Sequence, residues 1–166
     1  TLKIVSMELA KTPIIPCLWF DKQALEAATF YTSIFKNSSI GKISRYTGEG
    51  KEIHRQEEGT VLTVEFTLNG QPFVALNGGP VYSFSEAVSF QIFCSSQEEI
   101  DYYWEHLTAD GGEESYCGWL KDKFGLSWQV VPAILTELLS DPERASRVTR
   151  AFMQMRKFDI EILTKA

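Results

Sequence analysis

One order of elements runs twice along this chain: strand, helix, then three strands. Ile14 to Phe20 (IIPCLWF) is an apolar run between Pro13 and Asp21, which predicts a strand. A helix is expected from about Ala24 to Phe35, where Leu25, Ala28, Tyr31 and Phe35 recur at helical spacing. Ile40 to Tyr46 and Thr60 to Leu68 alternate apolar and polar residues, as half-buried strands do. Between them Thr47 to Gly59 is polar, carries three glycines and reads as a mobile loop. Asn69-Gly70 makes a hairpin turn into Pro72 to Leu76, and Gly78-Gly79-Pro80 closes the unit.

The second pass begins at Val88 to Cys94, a strand. A helix follows from Gln97 to about Ala109, with Ser95 or Ser96 as N-cap and Glu98 and Glu99 in the first turn, where the helix dipole favours anions. Gly111-Gly112 ends it, Glu113 to Lys121 supplies two short strands, and Ser127 to Val131 is the last strand before Pro132. Phe93-Cys94-Ser95 aligns with Trp19-Phe20-Asp21, and Trp104 aligns with Phe30. The expectation is an α+β chain of two βαβββ modules, at about 14–80 and 88–132, within one domain spanning 1–166. A helical tail over 133–166 follows, with Asp141 and Asp159 as N-caps and Pro142 at a first helical position. Either its own sheet or a second subunit can receive that tail.

Charge and cysteine use narrow the function classes. The formal net charge of -6 repels a phosphate backbone, which argues against nucleic acid as a partner. Arg144, Arg147, Arg150, Arg156 and Lys157 read as a solvated helix face. No apolar run reaches the roughly 18 residues of a membrane span, and Thr1 to Lys11 shows no secretory pattern. The three cysteines, Cys17, Cys94 and Cys117, form neither a disulfide framework nor a zinc spacing, so a reducing, cytoplasmic setting is expected.

Several stretches resemble one family. They are CLWFD at 17–21, FYTSIF at 30–35, ALNGGP at 75–80, QEEIDYYWEHL at 97–107, DKFGLSWQVVP at 122–132 and MQMRKFDIEIL at 153–163. They are similar to the PhnB-like branch of the glyoxalase, bleomycin-resistance and dioxygenase superfamily, also described as 3-demethylubiquinone 3-methyltransferase-like. The resemblance implies paired βαβββ modules with mixed sheets curved around a cleft, and a homodimer. It implies no single reaction, since the superfamily holds isomerases, dioxygenases and drug-sequestering binders.

Metal enzymes of that superfamily hold a divalent ion through side chains of the first and last strand of each module. The matching positions here are Cys17 and Gln91 on the first strands, and Val74 and Gln129 on the last. That set is poor for a hard cation, so neither metal nor cofactor is expected. His54, in the polar loop, and His106, on a helix, belong to no strand position. No nucleotide-binding GxGxxG turn opens a helix either, so the methyltransferase description gains no support from motifs.

The candidate ligand-binding residues are Cys17, Trp19, Asn77, Gln91, Tyr116, Trp119, Trp128 and Gln129. The aromatic rings form a wall for a flat ligand, and the amides orient it. Cys17 is the candidate nucleophile, against the competing reading of a buried structural thiol. Trp128 competes with ordinary core packing, and Glu65 reads as a solvent-side strand residue. The expected function is metal-free binding of a small organic molecule. The alternatives are an enzyme of the superfamily with a non-standard site, and a dimeric structural partner.

Overall fold

A computed structural model describes residues 14–166. The reading of Thr1 to Lys11 lies outside the described residues. The chain divides into two units at Tyr82 and Ser83.

The first unit contains β1 (Cys17–Phe20), α1 (Ala24–Ile34), β2 (Ser39–Arg45), α2 (Lys51–His54), β3 (Val61–Leu68) and β4 (Gln71–Asn77). Its sheet runs β1-β4-β3-β2, with β1 parallel to β4 and the other pairs antiparallel. Alternation sorts each strand's side chains. Leu18, Phe20, Val64, Phe66, Phe73 and Ala75 are buried on one face, with Ala24, Ala27, Ala28 and Tyr31 of α1. The buried stripe of α1 differs from the expected one: Leu25 is exposed and Phe35 caps the helix. The hairpin turn holds Asn69 at φ 48° and Gly70 at φ 81°, the two positive values that a type I′ turn demands. The polar loop after β2 is not structureless. It carries the α2 turn, and Tyr46 packs at a tilt against His54 with ring centroids 4.5 Å apart.

The second unit contains β5 (Ser89–Cys94), α3 (Gln97–Thr108), a 3₁₀ turn (Ala109–Gly111), β6 (Glu113–Glu114), β7 (Trp119–Lys121) and β8 (Ser127–Pro132). Its sheet runs β5-β8-β7-β6, with β5 parallel to β8, which repeats the topology of the first. Ser96 caps α3 by accepting from the Glu99 N–H. Trp104, buried, sits seven residues into α3, where Tyr31 sits in α1. Tyr31, not Phe30, is therefore its structural counterpart: the link from β1 to α1 is one residue longer than the link from β5 to α3.

The tail forms α4 (Leu135–Ser140), α5 (Pro142–Phe152) and α6 (Ile160–Lys165), with Asp141 and Asp159 capping the last two. It packs on its own unit. The Gln97 amide donates to the Phe158 carbonyl and accepts from Ile160 N–H, both at 3.0 Å. Cys117 and Gly118 donate their N–H groups to the Met155 and Arg156 carbonyls, each at 2.8 Å. The basic residues do more than face solvent: Lys157 pairs with Asp101, and Arg147 Nε donates to the Ala166 carbonyl.

Gly118 is the tightest point of this docking. Its φ is +78°, and a Cβ there would meet the Phe158 ring at 2.4 Å and the Val130 carbonyl oxygen at 2.6 Å. Gly118→Ala is expected to cost more than about 1 kcal/mol of stability. Urea denaturation checks this, and an unchanged midpoint contradicts the docking.

Candidate functional site

Each sheet has a face turned away from its own helix, and the candidate residues divide between these faces. On the second sheet, strand register puts Trp119, Gln129 and Gln91 in one row across β7, β8 and β5. The row is hydrogen-bonded. Gln129 Nε2 donates to Ser89 Oγ at 2.8 Å, and Gln91 Nε2 donates to Gln129 Oε1 at 3.3 Å. One Gln129 amide therefore fixes its neighbours on both sides. Gln91 remains exposed, with its own Oε1 directed to no protein donor among the described residues.

A cavity of about 470 Å³ opens at the Trp119 end of this row, with Tyr116, Trp119, Lys121 and Ser127 in its lining. Lys121 Nζ pairs with Glu86 Oε1 at 2.6 Å across the rim. The hydrogen bond from Lys121 holds the Glu86 carboxyl below its ordinary range, and the same bond raises Lys121. Tyr116 stands half exposed under the Arg156 guanidinium, 5.4 Å from ring centroid to Cζ. Ser127 is fully buried, and its hydroxyl has no partner among the described residues. Sequence reasoning missed Ser127 and Lys121. Each stands two positions from a named strand residue, so strict alternation is the signal that finds them.

Trp128 belongs elsewhere, which corrects its place in the aromatic wall. It is buried on the helix-facing side beside Val130, and its Nε1 donates to Asp122 Oδ2 at 2.8 Å. Asp122 Oδ1 also accepts from the Phe124 and Leu126 N–H groups at 2.8 and 3.1 Å. The DKFGLSW stretch is thus a turn built around a buried carboxylate, and Trp128 is its anchor.

On the first sheet, Cys17, Val74 and Glu65 form one row across β1, β4 and β3. Glu65 is exposed, on the same face as Cys17. The next row holds Trp19, Leu76 and Thr63. Trp19 is pinned: its Nε1 donates to the Gly79 carbonyl at 2.8 Å, and its ring covers Gly78, where any Cβ would lie 2.1 Å away. Asn77 is also committed, which corrects its assignment as a ligand-orienting amide. It is buried, its Oδ1 accepts from the Ala24 N–H at 2.8 Å, and its Nδ2 donates to the Val61 carbonyl at 3.1 Å. It satisfies the start of α1 instead.

Cys17 is exposed, with its thiol pushed up by desolvation. No cation lowers it. A thiol in that state is a poor nucleophile at neutral pH. Cys94, buried at the end of β5, is pushed up to about 12 by desolvation and by Glu99.

The residues do not suit a divalent ion. Cys17 stands opposite Val74 and Gln91 opposite Gln129, so the four positions offer a raised thiol, two amides and a hydrocarbon. Among the described residues no three His, Cys, Asp or Glu side chains come together. His54 accepts from the Gln56 N–H at Nδ1 and meets the Glu49 carbonyl at Nε2, both at 3.0 Å. His106 lies on α3 with Nδ1 at 2.7 Å from the Tyr102 carbonyl. Neutral amides and one protonated thiol do not replace the carboxylates and imidazoles that first-row ions select.

Comparison with known proteins agrees with the fold. The sequence profile of 3-demethylubiquinone-9 3-methyltransferase matches residues 12–131. The chain belongs to that family. A PhnB protein from Bacillus cereus is 38% identical, over 72% of this chain and 98% of its own, with a TM-score of 0.63. The FosX fosfomycin resistance protein of Mesorhizobium loti is 14% identical, over 80% of this chain and all of its own, at a TM-score of 0.52. PA1353 of Pseudomonas aeruginosa is 17% identical over 72% of this chain and 96% of its own, at 0.57. The last two show the fold alone, the vicinal-oxygen-chelate arrangement of two βαβββ modules. No curated protein sequence matches this chain.

The state of Cys17 makes a prediction for this family member. Iodoacetamide labelling of Cys17, followed by peptide mass spectrometry, is expected to keep rising above about pH 8.5, where an ordinary thiol is half ionised. A rate already level by that pH would mean an activated thiolate and would reinstate Cys17 as a nucleophile.

Proposed function

We propose that this PhnB-like protein binds a small organic molecule, planar or partly apolar, on the open face of its second sheet and without a metal. The observation that carries the reading is the 470 Å³ cavity lined by Tyr116, Trp119 and Ser127, at the Trp119 end of the row that Gln129 and Gln91 continue. That volume falls in the range of small-molecule sites, roughly 300–1,000 Å³. Trp119 offers a flat apolar surface, and the chained amides offer fixed donors and acceptors. Glutamines at positions where related enzymes place metal ligands keep a polar floor and remove the charge that a cation needs. Tyr116, on the cavity's edge, supplies a second ring. The first sheet contributes Cys17 and Trp19 to its own open face, as a lesser candidate surface.

The activity in the family's description is not part of this proposal. The turns entering α1 and α3 are Asp21-Lys22-Gln23 and Ser95-Ser96, without the glycines that let a backbone cradle a nucleotide. The same reading takes the protein as a cytoplasmic homodimer, on the strength of the family resemblance and the scattered free thiols.

Two measurements test the proposal. Native mass spectrometry of protein purified without chelator is expected to give the mass of the chain alone or with an organic adduct. One divalent ion per chain would overturn the metal-free reading. Tryptophan fluorescence against a library of planar heteroaromatic compounds is expected to give at least one saturable quencher. Gln129→Ala should weaken it by about 1–2 kcal/mol, the cost of a lost hydrogen bond with its neighbours left unpaired. Equal binding by the variant would remove Gln129 from the site.

A further inference from the structure

Of the four tryptophans, three give their indole N–H to protein acceptors. Trp19 donates to the Gly79 carbonyl, Trp104 to Glu114 Oε1 and Trp128 to Asp122 Oδ2, each at 2.8 Å. Trp119 is the exception. It is half-buried in the lining of the cavity on the second sheet. Among the described residues its Nε1 has no acceptor, and no other ring or cation packs on it. Tyr116, the other ring of the lining, already carries the Arg156 guanidinium. Tryptophan is the stronger cation–π ring, and here it is the vacant one.

Carboxylates stand around this ring in excess. Glu113 lies opposite Lys121 in the pairing of β6 with β7, and Trp119 is two residues along β7 on the same face. Glu113 and Trp119 are thus diagonal cross-strand neighbours, roughly 7–8 Å apart and within reach of one bound molecule. Glu86 takes Lys121 Nζ at 2.6 Å. Lys121 is raised first by that hydrogen bond, and the Glu113 charge adds to the shift. One ammonium therefore answers two carboxylates. Glu113 is exposed, and its side chain makes no ion pair or hydrogen bond among the described residues. Glu114, the third carboxylate of the lining, is held by Trp104 and by Arg156 at 3.9 Å. An anion entering here would have to take Lys121 from Glu86 while facing Glu113. The net charge of -6 on the whole chain adds to the same field.

We propose that the ligand of this cavity is a flat aromatic cation, its ring on Trp119 and its positive charge towards Glu113. The inference rests on the second sheet being the binding face, and it adds the sign of the ligand's charge.

The test is isothermal titration calorimetry of the full chain against three compounds that share one ring: N-methylacridinium, uncharged acridine and acridine carboxylate. N-methylacridinium is expected to saturate the protein and to bind roughly tenfold more tightly than acridine, with the carboxylate weakest. Its lead over acridine should shrink as sodium chloride rises from about 0.05 to about 0.5 M, because an exposed carboxylate is screened. Glu113→Gln should weaken the cation roughly threefold more than it weakens acridine, and Trp119→Ala should weaken both. Acridine or its carboxylate binding as tightly as the cation would overturn the charge assignment and leave the flat-ligand reading standing. So would a lead that both salt and Glu113→Gln leave intact. Saturation by none of the three overturns the inference, and the library titration then decides the binding face separately.

Discussion

Each sheet in this protein has a single helix of its own to lie against, and that constraint governs where every strand residue goes. A strand side chain either joins the helix-facing core or faces away from it, with no third choice. In β8, Trp128, Val130 and Pro132 take the core side, which sends Ser127, Gln129 and Val131 to the other. The register of β5 against β8 then fixes which polar groups meet: Gln91 stands opposite Gln129, and Ser89 opposite Ser127. A slip of one residue would bury the amides and expose Trp128. The candidate site is therefore a by-product of core packing as much as an arrangement for a ligand.

Asp122 guards that register. It binds two backbone N–H groups of the turn and the Trp128 indole, so turn and core anchor are one unit. The family likeness of DKFGLSWQ has a physical basis here: the aspartate shapes the turn, Gly125 takes a positive φ of 84° within it, and the tryptophan locks it to the core.

Much of this was legible in the sequence, because periodicity reports which face a residue takes. The two βαβββ passes, the Asn69-Gly70 hairpin and the Asp141 and Asp159 caps all follow from local chemistry. The failures share a cause. Asn77 and Trp128 are polar or amphipathic residues with buried partners far from them in sequence: Ala24 and Val61 for one, the Asp122 carboxylate for the other. Composition says that such side chains need partners but not whether the partner is protein or ligand. The α1 stripe failed differently. Leu25 is apolar but lies beside Glu26, Thr29 and Ser33, which recur at helical spacing and mark the exposed side of the helix. The role of Ser127 was hidden because a fully buried serine without a partner looks, in sequence, like any other strand serine.

The ties from Cys117 and Gly118 to Met155 and Arg156 give the tail a second meaning. The match to the family's sequence profile ends at residue 131, and Tyr116 and Cys117, on the wall of the cavity, are held in place from beyond that point. The strands build the floor, and the tail sets one wall. Two relatives with the same strands but different tails would thus inherit the same recognition surface in differently shaped rooms. Selectivity in such a lineage can change without a single substitution in the sheet.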